Sequence, residues 1–281
     1  MPSFRPRALA VMTVVATLAA TVSGASAGAL EDTFSKSTAG SSVRVDHAAW
    51  TEMLQAYVVA GPDKLNRVRY AAWKAEGRPK LTAYIAALES VDVAKLDRPE
   101  QFAFWANLYN AKTVDIVLAH YPVKSIKDIS LGGTLLSNLT GGPWKAKVTT
   151  VAGQALSLDD IEHAILRPLF RDPRVHYAVN CASVGCPNLR REAFTGAALE
   201  TQLDASARDY VNTARGLRVD ANGKVTASSI YTWFQADFGG TAPGVLEHVR
   251  RYADPPLAKA LAKATVIDDY AYDWSLNDAI R

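Results

Sequence analysis

The sequence predicts an α+β fold in a single domain, with helices packed on a mainly antiparallel sheet. Two observations carry that expectation. Several segments place apolar residues at helical spacing, and they are interrupted by short apolar runs that meet at Gly-containing turns.

The helical segments come in order. "HAAWTEMLQAYVVAG" (47–61) spaces Trp50, Met53, Leu54, Tyr57 and Val58 along one face and stops at Gly61-Pro62. "PKLTAYIAALESVD" (79–92) repeats the pattern with Leu81, Tyr84, Ile85 and Leu88. The longest segment is "RPEQFAFWANLYNAKTVDIVLAHYP" (98–122). "SLDDIEHAILRPLF" (157–170) has Ser157 as N-cap and acids in its first turn, and is expected to end near Pro168. A further helix is expected over 196–211, with shorter ones near 229–236, 244–253 and 256–263.

Strands fill the intervals. "GGPWKAKVTTVAGQALS" (141–157) predicts a hairpin with Gly153 near its turn, and "LRVDANGKVTAS" (217–228) a second around Asn222-Gly223. "TVIDDYAYDW" (265–274) adds a closing strand. "RVHYAVN" (174–180) reads as a buried strand. Its alternation puts Val175, Tyr177, Val179 and Cys181 on one face, with His176, Ala178 and Asn180 on the other.

The chain of 281 residues opens on two arginines, an apolar stretch from Ala8 to about Val22, and Ala25-Ser26-Ala27. That is the layout of a secretory signal peptide over residues 1–27, and it predicts a periplasmic or secreted bacterial protein. Residues 28–45 are rich in Ser, Thr and Gly and are expected to form a flexible leader before one globular domain at 46–281. Without residues 1–27 the chain carries 29 basic and 28 acidic residues, a net charge of +1. So even a balance argues against a nucleic-acid partner. No later apolar run approaches 18 residues, so no stable membrane insertion is expected after cleavage. With 49% hydrophobic residues, such a chain buries a core without disulfide staples.

Its two cysteines, Cys181 and Cys186, therefore belong to something local. They fit a disulfide candidate, an inert thiol pair or a nucleophile with a neighbour. A C-x4-C spacing is not the C-x2-C of thioredoxin-like chemistry, and no further Cys or His pair completes a zinc site, so no metal and no cofactor is expected. A thiol becomes a nucleophile when a base or cation lowers its pKa. His163 sits on the margin of its helix beside Glu162 and one turn from Asp159. His176, on the face opposite Cys181, is the poorer partner. In "FAFWANLYNAK", Asn107, Tyr109 and Asn110 lie among large aromatics. An amide there bridges to loop backbone, or orients an imidazole or an oxyanion. Asp237 reads as a helix-end or loop-bridging carboxylate.

Four segments, "FAFWANLYNAKTV", "LSLDDIEHAILR", "VHYAVNCASVGCPNL" and "IYTWFQADFGG", together resemble the domain of unknown function 547 family in order and approximate spacing. The resemblance implies a domain of exported bacterial proteins and of plant proteins with coiled-coil regions. It marks Asn107, Tyr109, Asn110, Glu162, His163, Arg167, Asn180, Cys181, Cys186 and Pro187 as landmarks, and it brings no settled activity. A cysteine, a histidine and an asparagine are also the parts of a papain-like or transglutaminase-like thiol site. In those enzymes the cysteine comes first and opens a helix. Here His163 precedes Cys181 by 18 residues, which requires a permuted or convergent arrangement.

Three functions remain open. The first is a thiol hydrolase or acyltransferase on peptide or cell-envelope amides. Cys181 attacks, His163 is the base, Asn107 orients and Glu162 holds the network. The second is a non-catalytic binding module for a small molecule or peptide, with Asn110, Tyr109, Arg167 and Asn180 as ligand contacts and Cys181–Cys186 as a structural or redox disulfide. The third is redox sensing by the same two sulfurs.

Overall fold

The computed structural model describes residues 27–131 and 142–279. The signal peptide expected at 1–27 lies, but for its last residue, outside them. Among the described residues no helix is long and apolar enough to cross a membrane.

The helices are α1 (Ala27–Phe34), α2 (Ala48–Tyr57), α3 (Tyr70–Ala72), α4 (Arg78–Glu89), α5 (Arg98–His120), α6 (Arg167–Phe170), α7 (Val175–Ala178), α8 (Leu199–Val211), α9 (Ile230–Trp233), α10 (Ala242–Arg250) and α11 (Pro255–Leu261). Two π-helical stretches, Trp73–Gly77 and Asp160–Leu166, run into α4 and α6. The strands are β1 (Val58–Ala60), β2 (Asn66–Val68), β3 (Thr149–Val151), β4 (Gln154–Leu156), β5 (Leu217–Val219), β6 (Val225–Ser228) and β7 (Asp269–Ala271).

The α+β class holds, and its sheets are small. β1–β2 and β3–β4 are antiparallel pairs, and β5–β6–β7 is three-stranded. In the last, β6 pairs antiparallel with β5 and parallel with β7. The β3–β4 turn falls at Ala152 and Gly153, both with positive φ, as a tight hairpin requires.

Among the described residues no sheet forms the centre. That place belongs to α5, where 17 of 23 residues are buried. A helix buried nearly all round is a core helix, and the expected antiparallel pairing is present as three small sheets. Asp97 caps it, its carboxylate accepting from the Glu100 amide at 3.0 Å. Four buried polar side chains of α5, Glu100, Gln101, Asn107 and Asn110, hold backbone from elsewhere. Glu100 accepts from the amides of Val45 (2.8 Å) and Gly196 (3.0 Å), and Gln101 donates to the carbonyls of Lys36 and Val93. Two apolar clusters result, and α7 and α8 serve both. Val175, Ala178, Leu199 and Leu203 join the larger. Tyr177, Ala207, Tyr210 and Val211 join the smaller.

One local expectation is corrected. Residues 174–180 are not a strand: Val175–Ala178 form a helical turn, and the chain extends only from Val179. Period-2 alternation in so short a stretch does not separate a strand from one buried turn of helix. In the expected leader, α1 packs Leu30 and Phe34 into the core, and Phe34 meets Trp105 edge-on at 4.8 Å. The Ser/Thr/Gly content around α1 hides two apolar anchors one turn apart. Phe34→Ala should therefore destabilise the protein by about 3 kcal/mol in denaturant unfolding. A change under 0.5 kcal/mol would show that α1 contributes nothing to the fold.

Candidate functional site

The helix after β4 begins as the sequence requires. The Ser157 hydroxyl accepts from the Asp160 amide at 3.0 Å, and the Asp160 carboxylate accepts from the Ser157 amide at 2.7 Å, a capping box. It then widens into a π-helical turn in which the Arg167 amide donates five residues back to the Glu162 carbonyl. Such turns are frequent at functional sites. This one carries Glu162 and His163, which line one cavity with Asp159 just before them. The helix passes Pro168 and ends at Phe170, where Arg171 turns left-handed (φ 50°).

The cysteine loop is fixed from three sides. From α5, the Asn110 side chain donates to the Ala178 carbonyl at 2.9 Å and accepts from the Asn180 amide at 2.8 Å. From within, Asn180 accepts from the Ala182 amide at 2.8 Å and donates to the Pro187 carbonyl at 2.6 Å. From the C-terminal segment, the amides of Val184 and Gly185 donate to the carbonyls of Ser275 and Asp273, both at 2.8 Å. A side chain at position 185 would run into Asp273 and Tyr272, so only glycine allows this approach. Held in this way, Ala182 keeps a left-handed backbone (φ 61°), a strain that surrounding bonds must enforce.

Within the loop Cys181 and Cys186 form a disulfide. It lines a cavity of about 180 Å³ walled by Tyr109, Trp144, Phe234, Tyr272 and Trp274, with Trp233 (48% exposed) among its lining residues. The rings contact one another: Trp233 to Tyr272 at 4.8 Å, Tyr272 to Trp274 at 4.7 Å, and Trp274 to Trp144 at 5.7 Å.

A partly buried charge chain runs from the cavity wall, where Glu162 and His176 line it, to Asp237 and Arg167. Arg167 clasps Asp237 with two bonds, Nε to Oδ2 at 2.6 Å and Nη2 to Oδ1 at 3.1 Å. Asp237 Oδ2 also meets His176 Nε2 at 2.7 Å, and His176 Nδ1 lies 3.6 Å from Glu162 Oε1. The Tyr109 hydroxyl completes the chain by bonding to Glu162. Burial opposes the charge on His176, but its bonds to Asp237 and Glu162 outweigh it and hold the imidazolium above its ordinary range. Burial likewise opposes the charge on Glu162. Pairing with His176, attraction from His163 and the Tyr109 hydroxyl still hold its carboxylate low. The bond from His176 also holds Asp237 well below the ordinary carboxylate range, with Arg167 adding to it against burial. Asp159 moves the other way: burial raises its carboxyl, against attraction from His163.

His163 is the more open histidine. Its Nδ1 lies 3.3 Å from Arg167 Nη1. Its Nε2 lies 3.9 Å from Asp159 Oδ1.

The cavity thus brings together Cys181, Cys186, His163, Glu162 and Tyr109. Asn107, expected to orient a catalytic imidazole, is turned elsewhere. Its amide donates to the Phe194 carbonyl at 2.8 Å and accepts from the Phe194 amide at 3.0 Å, which is a structural bridge. Asn110 and Asn180, expected to contact ligand, hold the cysteine loop, and Arg167 holds Asp237. Cys181 follows helix α7 and opens none, unlike the cysteine of papain-like sites. Among the described residues, no group of three or more His, Cys, Asp or Glu is arranged to hold a metal.

Sequence reading missed His176, because the strand assignment turned it away from Cys181. Trp233, apolar yet exposed, also lines the cavity.

Residues 93–211 match the model of the family described as "Protein of unknown function, DUF547", which supports the resemblance. The match takes in three of the four segments that carry it. "IYTWFQADFGG", source of Trp233, Phe234 and Asp237, lies beyond. No curated protein and no solved structure matches the chain.

The charge chain predicts a pH signature. The ordinary value for His176 is 6.5 and its folded value is higher. Its pairing therefore stabilises fully below 6.5, and that stabilisation is lost as pH rises through the folded value. Glu162 and Asp237 are held low, so their share is present above ordinary carboxylate values and lost as pH falls. His47 and His248, lowered to about 4 chiefly by burial, weaken the fold as pH drops below 6.5 and mask the trend. The comparison that isolates it is wild type against His176→Gln. The wild-type advantage in unfolding free energy should be largest below pH 6.5 and shrink above it. A constant difference would contradict the paired imidazolium.

Proposed function

We propose that the protein is a binding module for a small molecule or a peptide side chain, with the Cys181–Cys186 disulfide as part of the pocket wall. The cavity itself carries this reading: three indoles, a phenyl and two phenols converge on a few polar groups. Its volume of about 180 Å³ suits a compact ligand. Aromatic faces attract cations, and Asp159 is a partly desolvated carboxyl whose charged form a cationic head would stabilise. A ligand with a flat or apolar body and an amine head fits both features. The disulfide supports a periplasmic or secreted setting, where such bonds persist.

The thiol hydrolase or acyltransferase reading keeps one observation in its favour. Cys181 and His163, distant in sequence, line the same cavity. It requires reduction first, because Cys181 carries no thiol while bonded to Cys186, and it leaves Asn107 without a part.

Tryptophan fluorescence tests the binding reading directly. Titration with 2-phenylethylamine should give a saturable change, and 3-phenylpropionate should give none. Trp233→Ala and Asp159→Asn should each weaken the amine about tenfold. Equal response to amine and acid would sink the amine preference, and no saturable response to either would sink the pocket for ligands of this class.

A further inference from the structure

The two sulfurs of the disulfide do not have equivalent surroundings. Cys186 is 2% exposed, whereas Cys181 is half-buried. The Cys181 amide donates to Cys186 Sγ at 3.0 Å. The Tyr272 hydroxyl lies 3.1 Å from both sulfurs, and the Ser183 hydroxyl lies 3.3 Å from Cys181 Sγ and 3.4 Å from Cys186 Sγ. Ser183 also donates to the Tyr272 oxygen at 2.9 Å, which directs the phenolic proton toward sulfur. Arg215 donates to the Cys186 carbonyl at 3.1 Å, bringing a guanidinium to the same residue.

A disulfide sulfur accepts hydrogen bonds weakly, and a thiolate accepts them strongly. These donors therefore favour the reduced state, and Cys186 alone receives the backbone amide. Of the two carboxyls in the cavity wall, Glu162 is engaged by His176 and Asp159 lies 3.9 Å from His163 Nε2. Burial keeps Tyr272 protonated, well above the ordinary phenol range, so it stays a donor when sulfur turns anionic.

We propose that this site carries out thiol–disulfide exchange with small thiols that enter the cavity, with Cys181 as the sulfur attacked and Cys186 as the leaving group. An incoming thiolate RS⁻ forms a bond to Cys181 Sγ. The Sγ–Sγ bond breaks and its electron pair leaves on Cys186, stabilised by the Cys181 amide and the Tyr272 hydroxyl. A second thiolate attacks the R-group sulfur of the mixed disulfide, releasing RSSR and the Cys181 thiolate. Two RSH are oxidised to RSSR, the protein disulfide is reduced to two thiols, and the protons pass between thiols through solvent. The exchange uses the same cavity as the binding reading and does not depend on a cationic ligand.

The test uses 2-mercaptoethanol, which is uncharged, so failure of the amine preference leaves the outcome unaffected. Folded protein is mixed with the thiol at neutral pH, quenched in acid and mapped by peptide mass. The mixed disulfide should form on Cys181. Cys186→Ser protein given 2-hydroxyethyl disulfide should carry the same adduct on Cys181. Tyr272→Phe should slow the first step about tenfold. If that variant does not fold, Ser183→Ala should slow it at least threefold by releasing the phenolic proton. An adduct on Cys186, a disulfide that resists the thiol until the protein unfolds, or unchanged rates in the folded variants would overturn the proposal.

Discussion

The Asn110 side chain fixes the geometry on which the site depends. It is buried on the central helix and uses both ends of its amide on the backbone that leads into Cys181. Two buried backbone groups have no water to turn to, so their positions follow the helix. Asn107, one turn earlier, does the same for Phe194, and Glu100 and Gln101 do it for four other backbone groups. A helix with polar side chains buried in its core is costly unless each is matched. Here the matching is what assembles the loops. The cysteine loop acquires its strained Ala182 and its close contact with the C-terminal segment only because it is pinned at α5 and at Gly185.

That arrangement separates two kinds of polar group that look alike in sequence. Asn107, Asn110 and Asn180 face backbone and shape the site from behind. Cys181, His163, Asp159 and Glu162 line the cavity. His176 also lines the cavity, and with Asp237 and Arg167 it forms a paired charge chain that holds the Glu162 carboxylate low beside an aromatic wall.

Much of the fold was legible because its helices are long or capped. The α5 segment, the Ser157 cap and the two hairpins follow from periodicity and turn chemistry. The strand expected at 174–180 failed because four residues carry too few repeats to tell a period of 2 from one of 3.6. That one error hid His176. The site was legible as residue types, since Cys181, Cys186, His163, Glu162 and Tyr109 do converge. Which amide faces backbone and which faces a cavity depends on packing between distant segments, such as Asn107 against Phe194. No local pattern encodes that. The C-terminal Tyr272 and Trp274, which cover the disulfide, escaped attention for the same reason.

The central claim is that a pinned loop presents a disulfide to an aromatic cavity, with Cys181 outermost. Differential alkylation with intact-mass detection tests it most directly, on folded protein taken from an oxidising compartment. The account predicts no label before reductant and, under mild reduction without unfolding, a first label on Cys181. Rapid labelling of Cys181 without any reductant would contradict it and return the site to a free nucleophile.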